Sequence, residues 1–306
     1  MTGQVQYLRK CNLVVANASG DGLDLSEQRI KFAIKKTDGQ TPNTAIIRVY
    51  NLNRDTANLI QKEFTTVLLQ GGYESNYGII FSGNAKRIGK GSESNTDTFL
   101  EIQAADGDAA YNFAVVNATI AAGATQRDQI ETAAKVMKGK GVETGYISTP
   151  NQAKLPRGKV MYGMSRDYLR QSVQSSGSSW TIQNGVLQVV PLSGVLPGEA
   201  IVLNSSTGLI GRPEQTDTGV KFRCLLNPLM VVGGSLQIDQ KDIAEAQIED
   251  SKDKDKEPAP ALASDGFYRI ISLELNGDNR ANDWYCEGVC LDIDTSVEES
   301  KSVQGS

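Results

Sequence analysis

The chain has 306 residues, of which 39% are hydrophobic and 22% charged, with a net charge of -5. This length and composition allow a packed core in two or three domains. The mild acidity argues against a dedicated nucleic-acid binder, which would carry a basic patch. The sequence contains no histidine, which excludes Ser-His-Asp and Cys-His catalysis and every histidine-ligated zinc site.

Membrane and export signals are missing from the sequence. No segment approaches the roughly 18 consecutive apolar residues of a membrane span. Residues 1–10 have no apolar run after their charges, so we predict no signal peptide and no membrane anchor. We expect the chain to stay in the cytosol where it is made.

The four cysteines do not form a metal-binding pattern. Cys11, Cys224, Cys286 and Cys290 include no CxxC pair. Cys286 and Cys290 would share one face of a strand but lie about 13 Å apart, too far to bind one ion. Reduced, buried thiols are the better interpretation.

Residues 1–105 are predicted to form a small β-barrel or sandwich. Apolar residues alternate with polar ones, as in half-buried strands, at 11–15, 30–34, 45–50, 67–73, 79–82 and 98–104. Clusters of Gly, Asn and Asp predict turns at 19–22, 38–39 and 89–94. A short helix is expected over 53–62, with Asn53 as its N-cap and with Ala57 and Ile60 on one face.

Residues 106–205 are predicted to form a mixed α/β middle region. Thr125 and Asp128 fit a capping box, and Ile130, Ala133 and Met137 follow on one helical face. Gly139 and Gly141 can end that helix. A second helix is expected from about Ser165, with Leu169 and Val173 buried, and Gly177 can end it.

The dipeptide Asn184-Gly185 predicts a tight hairpin in this middle region. Asn-Gly is the preferred sequence of a two-residue type I′ turn. The turn fixes the register, so that Ile182 faces Leu187 and Trp180 faces Val189. These four side chains then form one apolar cross-strand cluster.

Residues 206–295 are predicted to form a second β-barrel. Strands are expected at 220–224, 236–238, 267–275 and 284–293, with the polar loop 276–283 joining the last two. The segment 240–265 combines alternating charges with prolines, which favours a flexible insertion that proteases cut first. Residues 296–306 are expected to be a frayed tail.

A search for catalytic and binding motifs assigns no residue. The segment 83–91 lacks the GxxxxGK[ST] phosphate loop. The segment 20–24 lacks the EF-hand spacing, so a turn is expected there. The oxygen-rich loop 276–283 is a weak calcium candidate, against a solvated loop or a subunit contact. Glu245 and Glu249 can share a helical face, but beside a lysine-rich run they are expected to face solvent. We therefore predict a protein that is not an enzyme and has no catalytic, cofactor or metal residues.

The remaining candidates for ligand binding are aromatic and basic side chains. Tyr50, Tyr73, Trp180 and Trp284 lie in predicted strands, where core or interface packing explains them. A sugar-stacking platform is the alternative interpretation. The basic residues at 86, 87 and 90 are expected to form a solvated edge.

Three stretches of the sequence, in this order, resemble the hub proteins of bacteriophage baseplates. The first combines NTAIIRVYNL at 43–52 with 71–73 and 80–83. The second combines GLIGRP at 208–213 with 218–222 and 225–228, and the third runs from GDN at 277–279 to DW at 283–284. Each stretch alone is only strands and turns, and their joint order carries the resemblance.

The resemblance implies a mainly β fold with α+β insertions, in which two small β-barrel domains flank a mixed α/β middle. Such hubs are similar to the base of type VI secretion spike proteins. It also implies a homotrimeric ring that adapts a hexameric tail tube to a trimeric spike or tip in the virion baseplate. Expected partners are tail tube, spike, tape measure and other baseplate proteins, with DNA only in passage. The chain has no spare length for the lysozyme domain found in some hubs.

Two other functions remain open at this stage. The first is a carbohydrate-binding or peptidoglycan-degrading tail component, supported by acidic residues and by Trp180 and Trp284. The second is another tail ring protein, which hexamers would favour over trimers.

Overall fold

A computed structural model of the chain describes residues 8–17, 19–150, 153–244 and 262–293. The helices are α1 Arg54–Glu63, α2 Asp108–Phe113, α3 Gln126–Lys138 and α4 Ser165–Ser175, with a 3₁₀ turn at Gln240–Asp242. The strands are β1 Arg9–Asn17, β2 Gly22–Asp24, β3 Ile30–Thr37, β4 Thr44–Tyr50, β5 Phe64–Tyr73, β6 Asn76–Ser92, β7 Thr98–Ala105, β8 Val115–Ile120, β9 Glu143–Ile147, β10 Lys159–Met164, β11 Ser178–Gln183, β12 Val186–Pro191, β13 Ile201–Val202, β14 Glu214–Thr216, β15 Gly219–Leu225, β16 Ser235–Gln237, β17 Phe267–Asp278 and β18 Trp284–Asp292. The prediction of a mainly β protein is confirmed.

One large sheet contains strands from both ends of the chain. Its order is β14-β15-β18-β17-β3-β4-β7-β6-β5-β1-β2, and β13 and β16 extend it beside β17. The two ends meet where β3 pairs antiparallel with β17, from Thr37 opposite Ser272 to Lys31 opposite Asp278. Among the described strands this path is open, from β14 to β2, and closes no barrel.

Period-2 burial in the first hundred residues follows the predicted alternation. In β3, Ile30, Phe32 and Ile34 are buried, whereas Lys31 and Lys35 are exposed. Burial of one face in this way drives sheet packing, because it removes apolar surface from water. Helix α1 begins after Asn53, whose side chain accepts a hydrogen bond from the Asp55 N–H, as predicted.

The middle region places two helices between two smaller sheets. The capping box of α3 is present, because Thr125 and Asp128 exchange side-chain and backbone hydrogen bonds. Strands β8 and β10 form a two-stranded antiparallel sheet, which we call the ribbon. Strands β11, β12 and β9 form the other, and β9 is parallel to β12.

The predicted Asn-Gly hairpin is confirmed in turn and register. Asn184 and Gly185 have φ of 54° and 80°, as a type I′ turn requires. Ile182 lies opposite Leu187 and Trp180 opposite Val189, and all four side chains are buried. They belong to the core of the middle region, which is separate from the core shared by the two ends.

Several predicted boundaries are wrong. The expected turn at 89–94 is partly strand, because β6 continues to Ser92. Gly91 is needed there for close packing, because a Cβ at this position would overlap the ring of its cross-strand partner Phe99. Similarly, Gly22 begins the short strand β2, and β17 runs on through Asp278 into the expected loop. Ile238 lies just beyond β16. Most of the 240–265 insertion and the 296–306 tail lie outside the described residues.

Candidate assembly surfaces

Residues of the predicted oxygen-rich loop 276–283 form contacts within the same chain. Asp278 is 1% exposed and forms an ion pair with Arg29 at 2.8 Å. The Asn279 side chain accepts a hydrogen bond from the Ile30 N–H at 2.9 Å. Burial alone would raise the pKa of Asp278, but hydrogen bonds from the Arg29 side chain and the Arg280 N–H, together with the positive charges of Arg29 and Lys31, outweigh burial and lower this pKa. These contacts give the loop a structural role in clamping β3 to β17.

The sugar-stacking interpretation of the two tryptophans is wrong. Trp180 and Trp284 are each 1% exposed, so neither ring can receive a ligand. Trp284 packs edge-on against Phe32, and Trp180 stacks with Tyr111. Core packing therefore accounts for both rings. Glu245 and Glu249, the carboxylate pair considered from sequence, lie outside the described residues.

No group of three or more potential metal ligands occurs within the described ranges. The basic residues Lys86, Arg87 and Lys90 are all exposed, as expected. Lys86 forms an ion pair with Asp108 at 3.2 Å. None of the helices in the described part of the chain is long and apolar enough to span a membrane.

A buried acid at the end of β7 holds the Asn-Gly turn. The Asp106 carboxylate accepts hydrogen bonds from the N–H groups of Asn184 and Gly185, at 2.5 and 2.9 Å. Burial raises the pKa of Asp106 to about 7, although those N–H groups partly offset the effect. The ammonium group of Lys36 donates to the Asn184 side chain at 3.2 Å, and burial lowers the pKa of Lys36 to about 8. This cluster fixes the middle region on the large sheet.

A second buried cluster joins the same hairpin to β17. The Arg269 guanidinium pairs with Asp38 at 2.5 Å and donates to the Ser179 hydroxyl at 2.8 Å. It also donates to three backbone carbonyls at and just after the end of β12, those of Pro191, Leu192 and Gly194. The side chains of Arg269 and Asp38 are only 4% and 6% exposed. One arginine therefore connects strands from three stretches of the chain.

Sequence reasoning missed a cysteine pair in the large sheet. Cys224 in β15 lies directly opposite Cys286 in β18, and both thiols are free and buried. A hydrogen bond with Cys286 and burial raise the pKa of Cys224. Burial also raises the pKa of Cys290, and that of the half-buried Cys11 to about 12. All four thiols are thus free, and three of them are buried, as expected.

The largest exposed apolar side chains gather on the ribbon. Val160 and Tyr162 of β10 are 70% and 73% exposed, Val115 of β8 is 49% exposed, and Phe113 just before β8 is 66% exposed. The opposite face of the ribbon carries Val116 and Met161, which are fully buried in the middle core. A period-2 pattern of apolar residues is what would reveal the inner face of these strands from sequence. Because the outer face also carries apolar residues, that pattern is obscured.

Comparison with known proteins places this fold among tail proteins. No family model and no curated protein sequence matches the chain. Among solved structures, the 43 kDa tail protein of prophage MuSo2 from Shewanella oneidensis matches with a TM-score of 0.58 and 8% identity, over 92% of this chain and 97% of that protein. A tail protein from Neisseria meningitidis MC58 matches with a TM-score of 0.56 and 10% identity, over 93% and 96%.

A third match is an E. coli component of the type VI secretion system, described as structurally similar to the T4 bacteriophage tail proteins gp27 and gp5. It matches with a TM-score of 0.54 and 11% identity, over 87% of this chain and 73% of that protein. The chain therefore has the fold of phage tail proteins and of related type VI secretion components. The resemblance noted from the three sequence stretches is confirmed at this level.

Proposed function

We propose that this chain is a structural subunit of a phage tail baseplate, acting as its hub. The observation that carries the proposal is the full-length match to the Shewanella tail protein, which covers 92% of this chain and 97% of that one. A match of this extent concerns the whole architecture of the aligned chains. We further propose that the protein is not an enzyme.

In the proposed assembly, three copies form a ring between the hexameric tail tube and the trimeric spike or tip. The proposed domains are 1–105, 106–205 and 206–295, with the first and last curving into two similar barrel-like units. Three copies then supply six such units to the six-fold tube and three-fold contacts to the spike. The open sheet that both ends share supports a rigid relationship between the two units.

DNA and the tape measure protein would pass through the centre of this ring. Nucleic-acid affinity depends on lysine and arginine contacts to phosphates, and this chain has a net charge of -5. That balance supports passage of DNA without tight binding. The proposed location is the virion baseplate, after assembly in the host cytoplasm together with other baseplate proteins.

Mass photometry of the purified chain, alone and mixed with the spike protein of the same phage, tests the proposal. One copy has a mass of 33.0 kDa, so the ring is expected at three times that mass. Immunogold labelling of phage particles should place the chain at the junction of tube and spike. A six-fold mass would favour another tail ring protein. A monomer under all conditions, or a cleared band on cell-wall zymograms, would reject the structural hub.

A further inference from the structure

The outer face of the ribbon is uncharged along both strands. Val115, Asn117 and Thr119 of β8 and Val160 and Tyr162 of β10 are exposed on it. In the register, Tyr162 lies opposite Asn117 and Val160 opposite Thr119. The solvated face of an antiparallel sheet usually carries polar residues, whereas Val115, Val160 and Tyr162 on this face are apolar. Depletion of charge with enrichment of aromatic residues is typical of the core of a protein interface.

The size of this face also fits an interface. The apolar side chains of Phe113, Val115, Val160 and Tyr162 leave on the order of 400 Å² uncovered, given their exposed fractions and the roughly 150–250 Å² of an aromatic side chain. That is about half of the roughly 800 Å² that each partner contributes to a standard interface. The largest apolar patch on a typical monomer has roughly this size, about 300–600 Å², and is often functional.

The ribbon offers its face to a partner more readily than its β10 edge. The Tyr168 hydroxyl accepts a hydrogen bond from the Tyr162 N–H at 2.8 Å and lies 3.3 Å from the Tyr162 carbonyl oxygen. These are the backbone groups that an added strand would need at this point. Docking through side chains is therefore favoured over addition of a strand to β10.

A basic rim borders the ribbon face. Lys154 and Arg157, shortly before β10, are exposed, and neither forms an ion pair with another described residue. The middle region as a whole is slightly basic, since residues 106–205 contain 9 Lys and Arg against 7 Asp and Glu. A partner for this face is thus expected to present acidic groups.

The complementary surface occurs on this chain, in what we call the acidic edge: Glu214, Asp239, Asp242 and Asp265. All four are exposed, and none forms an ion pair within the described ranges. The exposed cations Arg212, Lys221 and Lys241 lie beside Glu214 and Asp242, so the acidic charge without a neighbouring cation is that of Asp239 and Asp265 at the pocket. Asp239 and Asp265 flank an open pocket of about 450 Å³, whose wall includes the 47% exposed Val202. Backbone hydrogen bonds between the segments at 213–215 and 244 place Glu214 opposite Ala244, two residues along the chain from Asp242.

We propose that the ribbon face of one copy docks on the acidic edge of a second copy, with Tyr162 entering the pocket beside Val202. The inference rests on the proposed ring, because two different patches that bind each other form a head-to-tail contact, and such contacts close into rings. Lys154 and Arg157 then face the carboxylates of the neighbouring copy. An aromatic anchor in a pocket with a charged rim is the usual arrangement of an interface hot spot.

The test measures self-association of the full chain by sedimentation and mass photometry. Tyr162→Glu is expected to raise the dissociation constant at least about thirtyfold, the effect of losing one hot spot. Leu229→Glu is the matched control, because Leu229 is 64% exposed but lies outside both surfaces, and it should change the constant less than about threefold. Val160→Glu serves as a second ribbon variant, and circular dichroism checks the fold of each.

Charge exchange tests the orientation of the contact. Lys154→Glu with Arg157→Glu should weaken association, and adding Asp239→Lys and Asp265→Lys to the same chain should restore it. Raising the salt concentration should weaken self-association of the wild-type chain, and it should weaken self-association of the charge-exchanged chain to a similar degree. Failure of the second pair to rescue the first would reject the acidic edge as the partner.

The outcomes separate this inference from the proposed function. A wild-type trimer that Tyr162→Glu leaves intact would overturn the ribbon contact and leave the hub standing. Association that the ribbon variants abolish, but with a mass other than that of a trimer, would support the contact and overturn the ring. A wild-type chain that is monomeric alone and with its spike would overturn both.

Discussion

Replacing Arg269 by Met should destabilise the protein strongly. The arginine has five hydrogen-bond acceptors, namely one carboxylate, one hydroxyl and three backbone carbonyls. Met fills similar space but leaves the buried Asp38 carboxylate without its cation. Removing one partner of a buried pair costs about 3–5 kcal/mol, so we expect that loss in the free energy of unfolding.

Urea unfolding followed by tryptophan fluorescence measures this loss, because Trp180 lies in the hairpin that Arg269 anchors. Arg223→Met is the matched control on the same sheet. Arg223 pairs with Glu287 at 3.3 Å, but its side chain is 45% exposed, and exposed pairs contribute about 0–1 kcal/mol. Arg269→Lys should recover only part of the stability, because an ammonium group cannot reproduce the guanidinium fork.

Equal losses of stability in Arg269→Met and Arg223→Met would contradict a large contribution from the buried Arg269–Asp38 pair. An Arg269→Lys variant as stable as the wild type would contradict the requirement for a guanidinium group. The double variant Arg269→Met with Asp38→Leu should be more stable than Arg269→Met alone, because no buried charge is then left unpaired. A double variant that is less stable would show that the carbonyl contacts dominate.

Three further predictions concern the turn, its acid and the thiols. Asn184→Ala should cost about 1–2 kcal/mol more than Asn184→Gly in urea unfolding, because alanine is strained at positive φ; equal losses would reject this. Since the folded-state pKa of Asp106 is raised to about 7 from 3.8, its contribution to stability should fall as pH rises from about 4 to 7. The stability difference between wild type and Asp106→Asn should therefore shrink by a few kcal/mol over that range, and a constant difference would contradict the assignment. At pH 8 the native thiols, including Cys11 with its pKa raised to about 12, should not react with Ellman's reagent, whereas all four should react in urea.

The features that could be predicted from sequence are those fixed by local chemistry. The turn at Asn184-Gly185, the Thr125 cap and the buried face of α3 each depend on residues close together in the chain. The same holds for the period-2 burial of β3. These preferences act within a few residues, so the surrounding fold reinforces them without being needed to identify them.

The features that escaped prediction depend on contacts between distant residues. The pairing of β3 with β17 and the cysteine pair at 224 and 286 follow from sheet order, which alternation does not encode. The ribbon was missed because its two strands are short and separated by helix α3. Arg269 has the sequence context of an ordinary strand residue, because no residue near it in the sequence indicates that its side chain donates to three distant backbone carbonyls.

The pairing of β3 with β17 also constrains how the chain can fold during synthesis. Lys31 finds its partner Asp278 only after nearly the whole described chain has left the ribosome. Until then β3 has one unpaired side, and contacts of such long range form slowly. The unpaired edge is open to association with other nascent chains. Pairing with β17 therefore covers the edge of β3 that is prone to aggregation. C-terminal truncations that remove β17 should accumulate in inclusion bodies.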